Sequence, residues 1–143
     1  YDLCIHAKSN GRFIIMPGPQ DGKFMIKSVA LGTYVSANPD EYLPPALDQT
    51  WDECEADEYF TFEQGVEPWH FTIRPVANET FVSGLPHRDG TSLSLQRKTQ
   101  AYEQWLIQRT PEPLTPFVCP MNVVNIKSVR HGKYISTREG GVG

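Results

Sequence analysis

No stretch of this chain approaches the roughly 18 consecutive apolar residues that a membrane-spanning helix needs, so no membrane span is expected. Residues 1–9 also lack the charged and apolar halves of a signal peptide. A basic excess is missing too. Thirteen Lys and Arg against 17 Asp and Glu give a net charge of −4, and the cations are scattered rather than striped, which sets nucleic acid aside as a partner. Cysteine is scarce, with only Cys4, Cys54 and Cys119. The odd count leaves at least one thiol free or paired between chains, keeps a Cys54–Cys119 pairing open, and offers no metal-binding CxxC spacing. Three reduced cysteines favour an intracellular over a secreted origin, whereas the glycosylation triplet Asn78-Glu79-Thr80 points the other way. The chain contains no Gly-x-Ser-x-Gly elbow, His-Glu-x-x-His pair, phosphate loop or dinucleotide fingerprint. His6, His70, His87 and His131 stand isolated, so neither catalysis nor a cofactor is expected.

What is present is turn chemistry and repetition. A chain of 143 residues with 12 prolines and 11 glycines reads as one all-β domain, residues 1–143, rather than a helical one. Three segments match one another. Phe24-Met25-Ile26-Lys27-Ser28-Val29 precedes Thr33-Tyr34-Val35-Ser36, Phe71-Thr72-Ile73-Arg74-Pro75-Val76 precedes Thr80-Phe81-Val82-Ser83, and Val124-Asn125-Ile126-Lys127-Ser128-Val129 precedes Lys133-Tyr134-Ile135-Ser136. Each is a short strand, a turn and a second strand opening on an aromatic residue, which predicts a β-hairpin. Ile26, Ile73 and Ile126 recur at intervals of roughly 50 residues, a period that marks a repeat architecture. Gly32 and Gly132 fall where the turns call for a positive φ, with Asn78 nearby in the second copy.

The copies span about 23–65, 69–110, and 122–143 continued by 1–17. The third stops two strands short, and residues 1–6 and 12–16 carry the missing alternation, so the two ends should complete one repeat together. The acidic residues Asp52, Glu53, Glu55, Asp57 and Glu58 have no EF-hand spacing and are expected to form a solvated connection. The expected core is Phe13, Ile26, Tyr34, Phe62, Ile73, Phe81, Trp105, Ile126 and Tyr134.

Twelve short strands in three four-stranded units resemble the β-trefoil, with pseudo-threefold symmetry over essentially the whole chain. The pattern Ile-Lys-Ser-Val followed by Gly-x-Tyr-[Val/Ile]-Ser is most similar to the fascin-like and ricin-B-like lectin branches of that fold. The resemblance implies a non-enzymatic binding protein, first of all a lectin whose partner is a glycan or glycoprotein. Ricin-B-like lectins carry Gln-x-Trp in each copy, and only Glu103-Gln104-Trp105 comes near it here. Sugar recognition needs planar apolar faces beside polar groups that pair with hydroxyls. Asn38, Asp40 and Tyr42 fit in one loop, His87 and Asp89 in the next, and Arg138 in the third. Trp51 and Trp69 beside loops are either partly buried anchors or ligand platforms.

Two other readings stand beside the lectin. Residues 110–120, stiffened by four prolines, lose little entropy when gripped, and trefoil protease inhibitors use such loops; Leu114 and Phe117 would face the protease. A fascin-like actin-binding module comes third, and bundling by one trefoil would need a homodimer.

Overall fold

The computed structural model describes residues 2–6, 11–29, 32–37, 46–48, 58–76, 79–85, 93–109, 112–113 and 123–138. These residues are all-β: β1 (Asp2–His6), β2 (Phe13–Pro17), β3 (Phe24–Ser28), β4 (Tyr34–Ser36), β5 (Ala46–Asp48), β6 (Phe60–Gln64), β7 (Phe71–Pro75), β8 (Phe81–Ser83), β9 (Ser94–Gln96), β10 (Trp105–Arg109), β11 (Glu112–Pro113), β12 (Val123–Ser128) and β13 (Tyr134–Arg138). A 3-10 turn spans Ala101–Glu103, and Glu58 also has 3-10 conformation. Alternation is what makes the strands. In β12, Val124, Ile126 and Ser128 are buried while their neighbours are not, the period-2 signature of a strand with one face on a core.

Six strands close a barrel. Around the ring, β2 pairs with β3, β3 with β6, β6 with β7, β7 with β10, β10 with β12, and β12 with β2, all antiparallel. Closure removes the free sheet edges that an open array of this size would expose. The remaining strands lie outside the ring. β4 and β5 extend β3, β13 and β1 extend β12, and β8 pairs with β9. The two ends of the chain do lie side by side, with β1 running against β13 from Asp2↔Arg138 to His6↔Tyr134. A thirteenth strand exceeds the expected twelve because the chain folds back after β10, pairing Gln108 with Pro113 and Arg109 with Glu112.

The same local bonds recur around the ring. The amides of Val29, Val76 and Val129 donate to the carbonyls of Arg12, Tyr59 and Gln104 at 3.0, 2.9 and 3.1 Å. Ile26, Ile73 and Ile126 meet on the axis with Val35, Val82 and Ile135, all buried, around an apolar void of about 10 Å³. Phe13, Phe60 and Trp105 are fully enclosed, and the indole Nε1 of Trp105 donates to the Val82 carbonyl at 2.9 Å.

Part of the expected core lies elsewhere. Tyr34, Phe81 and Tyr134 are only half-buried, because alternation along β4, β8 and β13 turns Val35, Val82 and Ile135 inward instead. Each outer ring is covered by a cation from the preceding strand: Lys27 over Tyr34 at 5.6 Å, Arg74 over Phe81 at 5.7 Å and Lys127 over Tyr134 at 5.4 Å. Phe62 packs on the core edge, ring to edge with Phe24 at 5.7 Å. Glu58 also departs from expectation. It is buried rather than solvated, because the Ser36 hydroxyl donates to its Oε2 at 3.0 Å. Glu103 repeats this arrangement with Ser83, and Gly11 occupies the corresponding place before β2.

Candidate functional site

Most residues singled out from the sequence lie outside the described residues: Asn38, Asp40, Tyr42, Trp51, Cys54, Asn78, His87, Asp89, Leu114, Phe117 and Cys119. Arg138 ends β13 with its backbone opposite Asp2, and Cys4 on β1 stands opposite Ser136. Next to Asn78, Glu79 is exposed and Thr80 buried. Trp105 is core, and its two predecessors are structural as well. Glu103 accepts from the Gln100 amide at 2.9 Å and from the Ser83 hydroxyl, and Gln104 accepts from the Val66 amide at 3.0 Å. The Glu103-Gln104-Trp105 element thus ties β8, the 3-10 turn and the β6–β7 turn together.

Trp69 is different, and a second copy of its own turn shows why. The β2–β3 and β6–β7 turns share one backbone design. Gly18 and Gly65 donate to the carbonyls of Lys23 and His70 at 2.7 and 2.8 Å, while Lys23 and His70 donate to those of Gln20 and Glu67 at 3.2 and 2.9 Å. The first turn achieves this with Pro19, Gln20, Asp21 and Gly22 at its tip, the second with Val66, Glu67, Pro68 and Trp69. Where one turn has Gly22 the other has an indole that is 43% exposed, and beside it Val66 is 76% exposed. The turn needs neither side chain. Two exposed apolar groups that the backbone does not require are the kind of surface a ligand uses.

The platform is held firmly. Gln64 Nε2 donates to the Glu67 carbonyl at 2.8 Å, adding to the bond from the Val66 amide to the buried Gln104. Gly65 is where the turn and Gln104 come closest, since a Cβ there would lie 1.9 Å from Gln104 Oε1. Trp69 stands perpendicular to the His70 ring, their centroids 5.9 Å apart. His70 Nδ1 is buried and has no hydrogen-bond partner, an unusual state for a polar atom in a folded protein. The exposed polar residues of the same hairpin are Glu63, Gln64 and Glu67, with Glu63 loosely paired with Arg74 at 4.0 Å. A rigid indole face with carboxylate and amide groups beside it can stack on an apolar ring face and accept hydrogen bonds from hydroxyls at its rim.

Among the described residues no three His, Cys, Asp or Glu side chains are grouped to hold a metal ion, and no helix is long and apolar enough to cross a membrane. The signal that finds the Trp69 turn in the sequence is Gly65 to Phe71 set against Gly18 to Phe24: the frames match and the tips do not. No protein-family model matches the chain, and no curated protein matches it either.

Proposed function

We propose that this chain is a β-trefoil whose role is to bind carbohydrate, without catalysis, through an exposed aromatic platform at Trp69. Support for the trefoil comes from the closed six-stranded barrel, the recurring valine-amide bonds and the axial isoleucines, each repeated three times around the ring. In this reading β12 and β13 join β1 and β2 as one repeat. Fold alone says little of function, so the ligand is argued from the site.

The single observation that carries the ligand class is an exposed tryptophan on a turn whose twin folds the same way with glycine. An indole face suits the apolar face of a pyranose, and Glu67 and Gln64 suit its hydroxyls. The loops bearing Asn38, Asp40 and Tyr42, and His87 and Asp89, together with Arg138, belong to the same proposal as further contacts. A glycan array of the whole protein tests it. Trp69→Ala should weaken the bound glycans by roughly thirtyfold or more, the loss of a binding hot spot, with the melting curve unchanged. Tyr42→Ala on the same array tells whether the first loop contributes. A flat array for the wild-type protein would end the carbohydrate reading.

One observation favours a second reading. Two barrel hairpins close with the tight turn described above, but β10 and β12 are joined by a long connection that begins by pairing β11 against β10. A proline-stiffened segment there suits a protease inhibitor presenting Leu114 and Phe117. A panel of serine and cysteine proteases run on the same preparation decides between the two, and absence of inhibition eliminates this one.

A further inference from the structure

The turn between β12 and β13 departs from its own twin in a different way. It repeats the backbone bonds at Ser28, Gly32 and Thr33 that join β3 to β4. Gly132 and Gly32 have φ of 66° and 69°, and their amides donate to the carbonyls of Ser128 and Ser28, each at 2.9 Å. The amides of Ser128 and Ser28 donate in turn to the carbonyls of Lys133 and Thr33 at 2.7 and 2.8 Å. The earlier turn has the sequence Val29-Ala30-Leu31-Gly32-Thr33, without a charge, and the later one has Val129-Arg130-His131-Gly132-Lys133. The backbone therefore asks for none of the three basic residues.

Two of these residues are held in place. The Arg130 guanidinium lies over the Tyr102 ring at 5.5 Å, and the His131 ring packs on the same tyrosine at 5.4 Å. His131 is fixed at two points, its Nε2 donating to the Gly84 carbonyl at 2.9 Å and its amide to Ser128 Oγ at 3.1 Å. With Nε2 donating to Gly84, Nδ1 can donate to an anion only when the ring carries both protons. Among the described residues no carboxylate pairs with Arg130, His131 or Lys133. Glu103, next to Tyr102 in the chain, is buried and already engaged by Ser83 and Gln100. In a chain of net charge −4, a turn bearing Arg130, His131 and Lys133, with no carboxylate paired to them among the described residues and two of them held on one aromatic ring, is a local exception.

We propose that Arg130 and His131, held on Tyr102, together with Lys133 of the same turn, bind an oxyanion of the sulfate or phosphate type. Arg130 supplies a planar fork of donors matched to two oxygens, and its packing on Tyr102 lowers the side-chain entropy lost on binding. The site uses none of the residues of the Trp69 turn and stands whether or not that turn takes a sugar.

The test is a titration of the isotope-labelled protein with sodium sulfate, phosphate and acetate at constant ionic strength, read at the amides of 129–133 and the His131 ring. Saturable shifts confined to these signals are expected with sulfate or phosphate, and the tighter of the two identifies the ester that the natural ligand carries. Arg130→Gln, on an exposed side chain, should weaken binding roughly tenfold through loss of a charge-assisted contact. Lys27→Gln, which removes a cation similarly placed over Tyr34, should leave it unchanged. A second variant, Arg130→Ala with His131→Leu and Lys133→Thr, rebuilds the turn on its uncharged twin and should abolish binding while the amide spectrum stays dispersed. The proposal is overturned by the absence of saturable shifts with both anions, by an equal response to acetate, or by wild-type affinity in Arg130→Gln or the rebuilt turn.

Discussion

Glu103 shows how a buried carboxyl group is tolerated. Its side chain is fully enclosed, with Oε1 accepting from the Gln100 amide and Oε2 from the Ser83 hydroxyl. Glu103→Gln keeps one acceptor oxygen and places an amide against a hydroxyl that can also accept, so a loss of about 1 kcal/mol is expected. Glu103→Ala leaves the Ser83 hydroxyl proton and the Gln100 amide without their acceptors beside a cavity, and about 3–4 kcal/mol is expected. Denaturant unfolding of the two variants checks the contrast, and equal losses would show that the hydrogen bonds contribute little. Gly65 is sensitive for another reason. A methyl group there collides with Gln104 Oε1 and displaces the acceptor of the Val66 amide, so Gly65→Ala should cost about 1–3 kcal/mol. It should also weaken any ligand that needs Trp69, and a melt with a binding assay on one preparation measures both effects.

At the scale of the element, the two matched turns of the barrel allow a direct exchange. Replacing Glu67, Pro68 and Trp69 by the Gln-Asp-Gly of the β2–β3 turn, with Val66 kept because its amide donates to Gln104, should leave the fold intact, since both tips sit on the same pair of backbone bonds. Stability should change by less than about 1 kcal/mol, as for surface substitutions away from special features, while glycan binding disappears. Circular dichroism, a thermal melt and the array together decide it, and retained binding would place the site elsewhere. The strands themselves were readable because a hairpin is a local object, set by alternation, a turn residue and a following aromatic. Which face each aromatic takes was not readable in the same way. Tyr34 and Tyr134 open their strands, yet pairing opposite Lys27 and Lys127 places them outside the core. Glu58 was unreadable for a related reason: inside an acidic run it looks solvated, and only the fold brings Ser36 to it.

For the whole molecule, the void on the barrel axis makes a quantitative point about imperfect symmetry. Val35 and Val82 stand where the third group has Ile135, and all three border the void. Val35→Ile or Val82→Ile adds one methylene toward that space and should stabilise by up to about 0.8 kcal/mol. The melting temperature should rise by roughly 2–4 °C, and a fall instead would mean that the axis is already filled.

The sequence by itself determined the all-β class, the hairpin repeat, the side-by-side placement of the two chain ends and the burial of the axial isoleucines, because each rests on periodicity and turn chemistry that neighbouring residues carry. Closure of the ring, the inward turn of Val35, Val82 and Ile135, the buried Ser–Glu pairs and the gathering of Arg130 and His131 on Tyr102 were decided only by tertiary structure. Those features depend on contacts between residues far apart in the chain, and no local pattern specifies which distant side chain will arrive.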